Sequence, residues 1–349
     1  MSKLFNLLKS FVLITLFTGL LFVIVEGIFS FVYVVNKMDL RFISFKVHTQ
    51  YNELLGWDNI PGLTINKYVK DGHLKINSQG TRNDQDFSYE IPVGKKRVIC
   101  SGDSFTFGKG VSNGNTWCSQ LNEIEPRLET INLGQSAYSF GQSYLKYQRD
   151  KNKFKHDIHI FAFVTGDFAR MARKNFTGSS KPILKIQDDK IIVDNYPVPK
   201  FSSQFPLLIE NALWLKQLRS IEFFNSNILK NNNGKILSDS EIKEIVKKIV
   251  LNLRDEAKKE GKSVLFVHLP CLLDFDLTHS MEWEDFFQAL EADENINYLN
   301  LIPVFHKLLM KKDRVPLNFF LKNGHYNNLG NKWAAYHILF KLDELGLFE

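Results

Sequence analysis

From residue 96 onward, short apolar runs alternate with longer segments in which apolar positions recur every three or four residues. The runs at 97–101, 129–133, 157–164 and 263–269, with a shorter one at 297–301, have the length and continuous apolar character of strands buried on both faces. The segments at 115–125, 140–154, 240–260, 280–292 and 327–345 have the one-sided pattern of amphipathic helices. Strands and helices in regular alternation predict the α/β class, as a three-layer αβα sandwich around a parallel sheet. In such a sheet ligands bind outside the carboxyl ends of the strands. Ser104, Gly134 and Gly166-Asp167 each follow a predicted strand at that edge.

The alternation has two exceptions. Residues 11–35 are apolar apart from Ser, Thr, Gly and the single Glu26, and a bilayer-crossing helix needs about 20 such residues. No small-residue cleavage site follows, so residues 1–36 are expected to form one uncleaved transmembrane anchor. Basic residues flank the run on both sides (Lys3 and Lys9; Lys37, Arg41 and Lys46), which leaves its orientation open. Residues 175–238 interrupt the pattern between predicted strands, as an insertion at the rim of the sheet. Within it, ILKIQDDKIIVDNYPV at 183–198 predicts a hairpin turning at Asp188-Asp189, and a helix is expected at 205–219. Residues 37–95 lack strong periodicity and read as a stalk and lead-in capping the main domain, which spans 96–349.

KRVICSGDSFTFGKG at 96–110 is the stretch on which chemistry centres. A serine on a tight turn just past a strand presents its hydroxyl at the sheet edge, beside amides able to stabilise negative charge. Ser104 is therefore the candidate nucleophile. Gly102 would permit the sharp turn, and Gly108 a close approach of the next segment. The same residues also fit an ordinary strand-to-helix connection with Asp103 or Ser104 as the helix cap.

Composition narrows the options. The 349 residues are 44% hydrophobic with 30 Phe, enough for a sizeable packed core. The net charge of +6 is spread among acids, which gives no nucleic-acid-binding groove. Cys100, Cys118 and Cys271 form no CxxC pair, so no structural metal site is expected. Their odd number suggests no disulfide framework, and Cys100 and Cys118 read as small buried apolar residues. No dinucleotide or Walker A motif occurs, and no cofactor is expected. His159 and His268 fall in predicted strands as core residues, Asp167 reads as structural, and Asp274 and Asp276 read as surface residues.

Four stretches, in order, resemble the motif blocks of the SGNH/GDSL hydrolase family. SGDSFTFG at 101–108 is similar to the nucleophile block, with Ser104 as the serine. INLGQSAYSFGQ at 131–142 resembles the second block, with Gly134 as the oxyanion-hole glycine. FVTGDF at 163–168 stands at the third block, and NGHYNNLGNKWAA at 323–335 resembles the last, with His325 as the histidine. INSQGTR at 76–82 and the inserted hairpin further resemble membrane-anchored members associated with bacterial cell-surface polysaccharides. The resemblance implies a flavodoxin-like sheet and a periplasmic main domain. It also implies hydrolysis or transfer of acyl groups, O-acetyl above all, on a surface glycan. Partners are thus the membrane and an acylated carbohydrate substrate, with protein partners unspecified.

Two positions depart from that pattern. The third-block Asn that donates to the oxyanion is Gly166 here, leaving the Ser104 and Gly134 amides, with Asn132 or Gln135 as substitutes. The loss of one such donor typically costs about 10²–10³ in turnover. The acid expected two or three residues before the histidine is replaced by Asn323 and Lys322, so Asn323 would orient His325 through its carbonyl. Three functions are consistent with this: an esterase or deacetylase, an O-acyltransferase on the same fold, and a catalytically silent glycan-binding or scaffold protein.

Overall fold

The computed structural model describes residues 2–37, 47–69, 72–176, 179–200, 218, 220, 236–275, 280–311 and 318–347. The helix expected at 205–219 lies almost wholly outside the described residues, as does Asp276. The first element, α1 (Ser2–Lys37), contains an apolar stretch, Phe5–Val32, long enough to cross a membrane; a signal sequence would meet the same criterion. Its Glu26 carboxylate accepts from the Ser220 amide at 3.2 Å and hydroxyl at 2.6 Å.

The lead-in contains four strands that periodicity did not reveal. β1 (Thr49–Asn52) pairs antiparallel with β2 (Gly56–Asn59), and β3 (Thr64–Val69) with β4 (Gly72–Lys75). They are four to six residues long, and the outer ones alternate little, so no period could emerge. They are folded onto the main domain. The Trp57 indole donates to the Ser136 carbonyl, the Tyr138 hydroxyl donates to the Trp57 carbonyl, and the Gln142 amide donates to the Leu55 carbonyl.

The main domain then runs β5 (Lys96–Ser101), α2 (Ser104–Phe107), α3 (Trp117–Ile124), β6 (Leu128–Asn132), α4 (Phe140–Asp150), β7 (Ile158–Phe163) and α5 (Gly166–Met171). The insertion contributes β8 (Asn175–Phe176), β9 (Ser179–Ser180), β10 (Leu184–Gln187) and β11 (Lys190–Val193). Asp188 and Asp189 join the last two with φ of 49° and 59°, the left-handed pair a two-residue hairpin turn requires. The chain continues as α6 (Asp239–Lys259), β12 (Ser263–His268), α7 (Glu282–Glu294), β13 (Asn297–Asn300), α8 (Ile302–Lys311) and α9 (Asn328–Glu344).

Five strands form one parallel sheet in the order β13-β12-β7-β5-β6. Counted along the chain this is 2-1-3-4-5, the flavodoxin-like order, whose switch point lies between β5 and β7. Alternate strand residues divide the core in two. Ile99, Phe161, Phe163 and Phe266 pack with residues of α4, α6 and α7, among them Phe140, Ile249 and Phe287. Val98, Cys100, Ile160 and Val267 face α3, α8 and α9, meeting Trp117, Phe305 and Ile338. Two sheet faces, each covered by three helices, make the three-layer sandwich. The inner side of α9 is built from Ala334, Ala335, Ile338 and Leu342, while Leu329 is exposed.

One expectation is corrected. Cys100 and Cys118 are buried, but they form a disulfide across a sequence separation of 18, with Cα atoms 6.2 Å apart. An odd count leaves room for one pair, and Cys271 is the thiol left over, buried. Closing a loop of that length stabilises a fold by about 3 kcal/mol in the chain-entropy account. Thiol titration of the unfolded chain without reductant should therefore find Cys271 alone reactive, and all three cysteines after reduction. Three reactive thiols before reduction would contradict the pairing.

Candidate active site

The turn that carries Ser104 is built by local chemistry. Asp103 caps α2, its Oδ1 accepting from the Phe105 amide at 2.8 Å, so the capping role and the placement of Ser104 at the first helical position coexist. The turn closes at Gly108, whose φ of 77° is left-handed and whose missing Cβ leaves room for Thr116. Arg82, fully buried and delivered by the 76–82 loop, holds the turn from below. Its guanidinium donates to the carbonyls of Phe107, Gly108 and Val111, and its Nε to Asn113 Oδ1 at 3.2 Å. Burial pushes its pKa down to about 10, so it stays charged at neutral pH.

His325 arrives from the far end of the chain. Its carbonyl accepts from the Leu321 amide at 2.7 Å, and Phe320 and Tyr326 form a β-bridge across the turn. The Tyr326 hydroxyl donates to the Pro270 carbonyl at 2.6 Å. Asn327 caps α9 by accepting from the Gly330 amide, and Asn331 of that helix accepts from the Trp117 amide. The imidazole is thus fixed above the sheet edge, its ring 5.1 Å from that of Phe105.

Ser104 and His325 meet: Ser104 Oγ lies 2.8 Å from His325 Nε2. The tautomer follows from Asn323. The His325 backbone amide donates to Asn323 Oδ1 at 3.1 Å, which identifies that atom as the oxygen. The same oxygen lies 3.2 Å from His325 Nδ1 and can only accept from it, so Nδ1 carries the proton and Nε2 offers its lone pair to the serine hydroxyl. Burial first, then the Lys109 ammonium, lower the His325 pKa to about 4. The imidazole is therefore the free base at neutral pH.

The oxyanion side differs from expectation. Gly134 packs against the Ser104 turn so closely that a Cβ would lie 2.3 Å from the Phe107 nitrogen, which explains the glycine. Its amide, however, donates to Asn132 Oδ1 at 2.9 Å, since an Asn side chain readily bonds its own backbone two residues on. Asn132 Nδ2 is engaged by the Thr106 carbonyl, so Asn132 points no donor at the crevice. Gln135 is fully buried with both side-chain polar atoms unbonded.

Three charged residues lie behind the serine: Asp103, expected at most as a helix cap, Asp167, expected as structural, and Arg170, to which sequence reasoning gave no role. Asp103 Oδ2 accepts from Arg170 Nη1 at 3.2 Å and lies 3.3 Å from Ser104 Oγ, whose single proton is directed at His325. Arg170 Nη1 also donates to Asp167 Oδ1 at 2.6 Å and to the Tyr138 carbonyl. Burial, then the Asp103 carboxyl, push the Asp167 carboxyl well above the usual range. The signal for Arg170 was its place four residues after Gly166 in a helical segment, on the same face. Asp274 is corrected: it is buried, accepting from the Thr165 hydroxyl at 3.1 Å and the Cys271 amide at 2.6 Å, because the turn after β12 folds its carboxylate inward. His159 and His268 are core residues, bonded to Ser101 and to Thr165 and Tyr298. Among the described residues no group of three or more His, Cys, Asp or Glu could hold a metal ion.

No protein-family model and no curated protein matches the chain. Among solved structures it is similar to a lipolytic protein of the G-D-S-L family from Desulfitobacterium hafniense, at 15% identity and a TM-score of 0.43 over 71% of this chain and 100% of that one. A G-D-S-L family protein from Veillonella parvula has 15% identity and a TM-score of 0.41, covering 70% and 97%. The acetyl xylan esterase AlAXEase has 14% identity and a TM-score of 0.40, covering 69% and 97%. The fold assignment rests on the sheet order above and not on these scores.

With His325 as the base, kcat/KM for an ester should fall as pH drops toward about 4, not at the ordinary 6.5. In Asn323→Asp, a carboxylate beside Nδ1 stabilises the imidazolium and should move that acid limb to higher pH. An acid limb unmoved by the substitution would contradict the Asn323–His325 contact.

Proposed function

We propose that the chain is a membrane-anchored serine esterase of the SGNH type that removes O-acyl groups, O-acetyl above all, from a cell-surface glycan. The observation that carries this reading is the 2.8 Å contact between Ser104 Oγ and the unprotonated Nε2 of a histidine whose Nδ1 is held by Asn323. A hydroxyl, a neutral base and an orienting acceptor in line are the parts of a covalent acyl-transfer machine. Asn in the orienting position is compatible with catalysis where its oxygen accepts from Nδ1.

In this mechanism Ser104 Oγ attacks the ester carbonyl carbon as its proton passes to His325 Nε2. The carbonyl π pair moves onto oxygen, toward the Ser104 amide, and the Gly134 amide joins once Asn132 releases it. The C–O bond to the alcohol breaks as His325 returns the proton to the leaving oxygen. Water then repeats the sequence on the acyl-serine and frees the carboxylic acid. The glycan assignment is supported by the likeness of INSQGTR and the inserted hairpin to polysaccharide-associated members. The apolar helix α1 supports a single membrane anchor. The Cys100–Cys118 disulfide favours an oxidising compartment, and so a periplasmic main domain.

A fluorophosphonate should label the full-length protein and spare Ser104→Ala. Acetate release from an O-acetylated polysaccharide should fall at least about 10³-fold in the same variant. Wild-type protein that neither labels nor releases acetate would favour the silent binding protein. Acetyl groups recovered on an added acceptor sugar, with no free acetate, would favour the transferase.

A further inference from the structure

We propose that Arg170 is a further oxyanion donor of this site, beside the Ser104 amide, its guanidinium taking the place of the amide side chain that Gly166 lacks. The inference rests on the esterase reading above and assigns the negative oxygen of the attacked acyl group to Arg170 Nη2.

Three observations converge on that atom. A Cβ built on Gly166 would lie 3.6 Å from Arg170 Nη2, so the guanidinium occupies the space into which a side chain at 166 would extend. Both residues belong to α5, four positions apart, and a long side chain in a helix leans back over the preceding turn. Next, the guanidinium is anchored through its other nitrogen. Nη1 makes every side-chain hydrogen bond of Arg170, to Asp103, Asp167 and the Tyr138 carbonyl, and Nη2 has no acceptor among the described residues. Lastly, Arg170 Nη1 bonds to Asp103 Oδ2, and that oxygen lies 3.3 Å from Ser104 Oγ, so the cation sits one carboxylate oxygen from the serine hydroxyl. Its charge reaches the imidazole as well, being among the influences that lower the His325 pKa.

The chemistry needs such a group. As Ser104 Oγ bonds to the acyl carbon and its proton moves to His325, the former carbonyl oxygen gains a full negative charge. The Gly134 amide is held by Asn132 in the resting site, and residue 166 has no side chain. A charge-assisted hydrogen bond from a fixed guanidinium is roughly twice as strong as one from a neutral amide. The side chain is 17% exposed, with the Phe176 ring 5.4 Å from its Cζ. A purely structural Arg170 would instead only neutralise Asp103 and Asp167.

The test uses p-nitrophenyl acetate with the full-length protein. Turnover that disappears in Ser104→Ala first establishes the esterase reading. Arg170→Gln should then lower kcat by about 10²-fold with little change in KM. Gly166→Asn added to Arg170→Gln should return at least about tenfold of that loss, because it restores an amide donor at the same place. A structural role would lower the melting temperature and gain nothing from residue 166. Arg170→Lys, which keeps the charge that folding needs, should lower kcat about tenfold at unchanged KM. Ser104-dependent turnover with wild-type kcat in Arg170→Gln or Arg170→Lys, or no recovery on adding Gly166→Asn, overturns the assignment and leaves the esterase reading intact. Absence of Ser104-dependent turnover in the wild type ends both.

Discussion

Everything proposed for this chain depends on holding a hydroxyl and an imidazole, 221 residues apart in sequence, within hydrogen-bond distance. The parallel sheet makes that possible. Its 2-1-3-4-5 order brings the carboxyl ends of β5 and β7 together at the switch point, so Ser104 and α5 rise from neighbouring strands. The last turn closes over them from β12 and α9. Each partner is anchored separately: Arg82 grips the carbonyls beneath the serine, while Tyr326 and Asn331 tie the histidine turn to Pro270 and Trp117. Neither side chain depends on the other for its position.

The electrostatics of the site form a coherent set. Burial and Lys109 keep His325 neutral, as a base must be, and Asn323 fixes its tautomer without adding a charge. The acidic side chains, Asp103 and Asp167, lie on the other side of the serine, where both bond to the Arg170 guanidinium. A carboxylate cluster there without the guanidinium would repel a developing oxyanion. With it, the cluster orients a cation toward the crevice. On the proposed reading, a glycine at 166 and an arginine one helical turn later belong together.

Much of this was legible in the chain. Core strands buried on both faces leave continuous apolar runs, so β5, β6, β7, β12 and β13 were predicted to within a residue or two at each end. Asp188-Asp189 announced its turn because Asp tolerates the left-handed region. Ser104, His325 and Asn323 stood out through their order and spacing. What escaped detection depends on contacts between distant segments. β1 to β4 are short and gain their stability from Ser136, Tyr138 and Gln142, which no local pattern reveals. The disulfide needs β5 and α3 side by side before it can be inferred. The engagement of the Gly134 amide by Asn132, and the inward turn of Asp274, are likewise properties of the folded backbone.

The most direct measurement is the ¹⁵N NMR spectrum of the His325 imidazole in the full-length protein at neutral pH. The account predicts a neutral ring protonated at Nδ1, with an Nε2 resonance that shifts in Ser104→Ala while Nδ1 stays in place. A ring protonated at Nε2, or an Nε2 resonance indifferent to the loss of the serine hydroxyl, would contradict it.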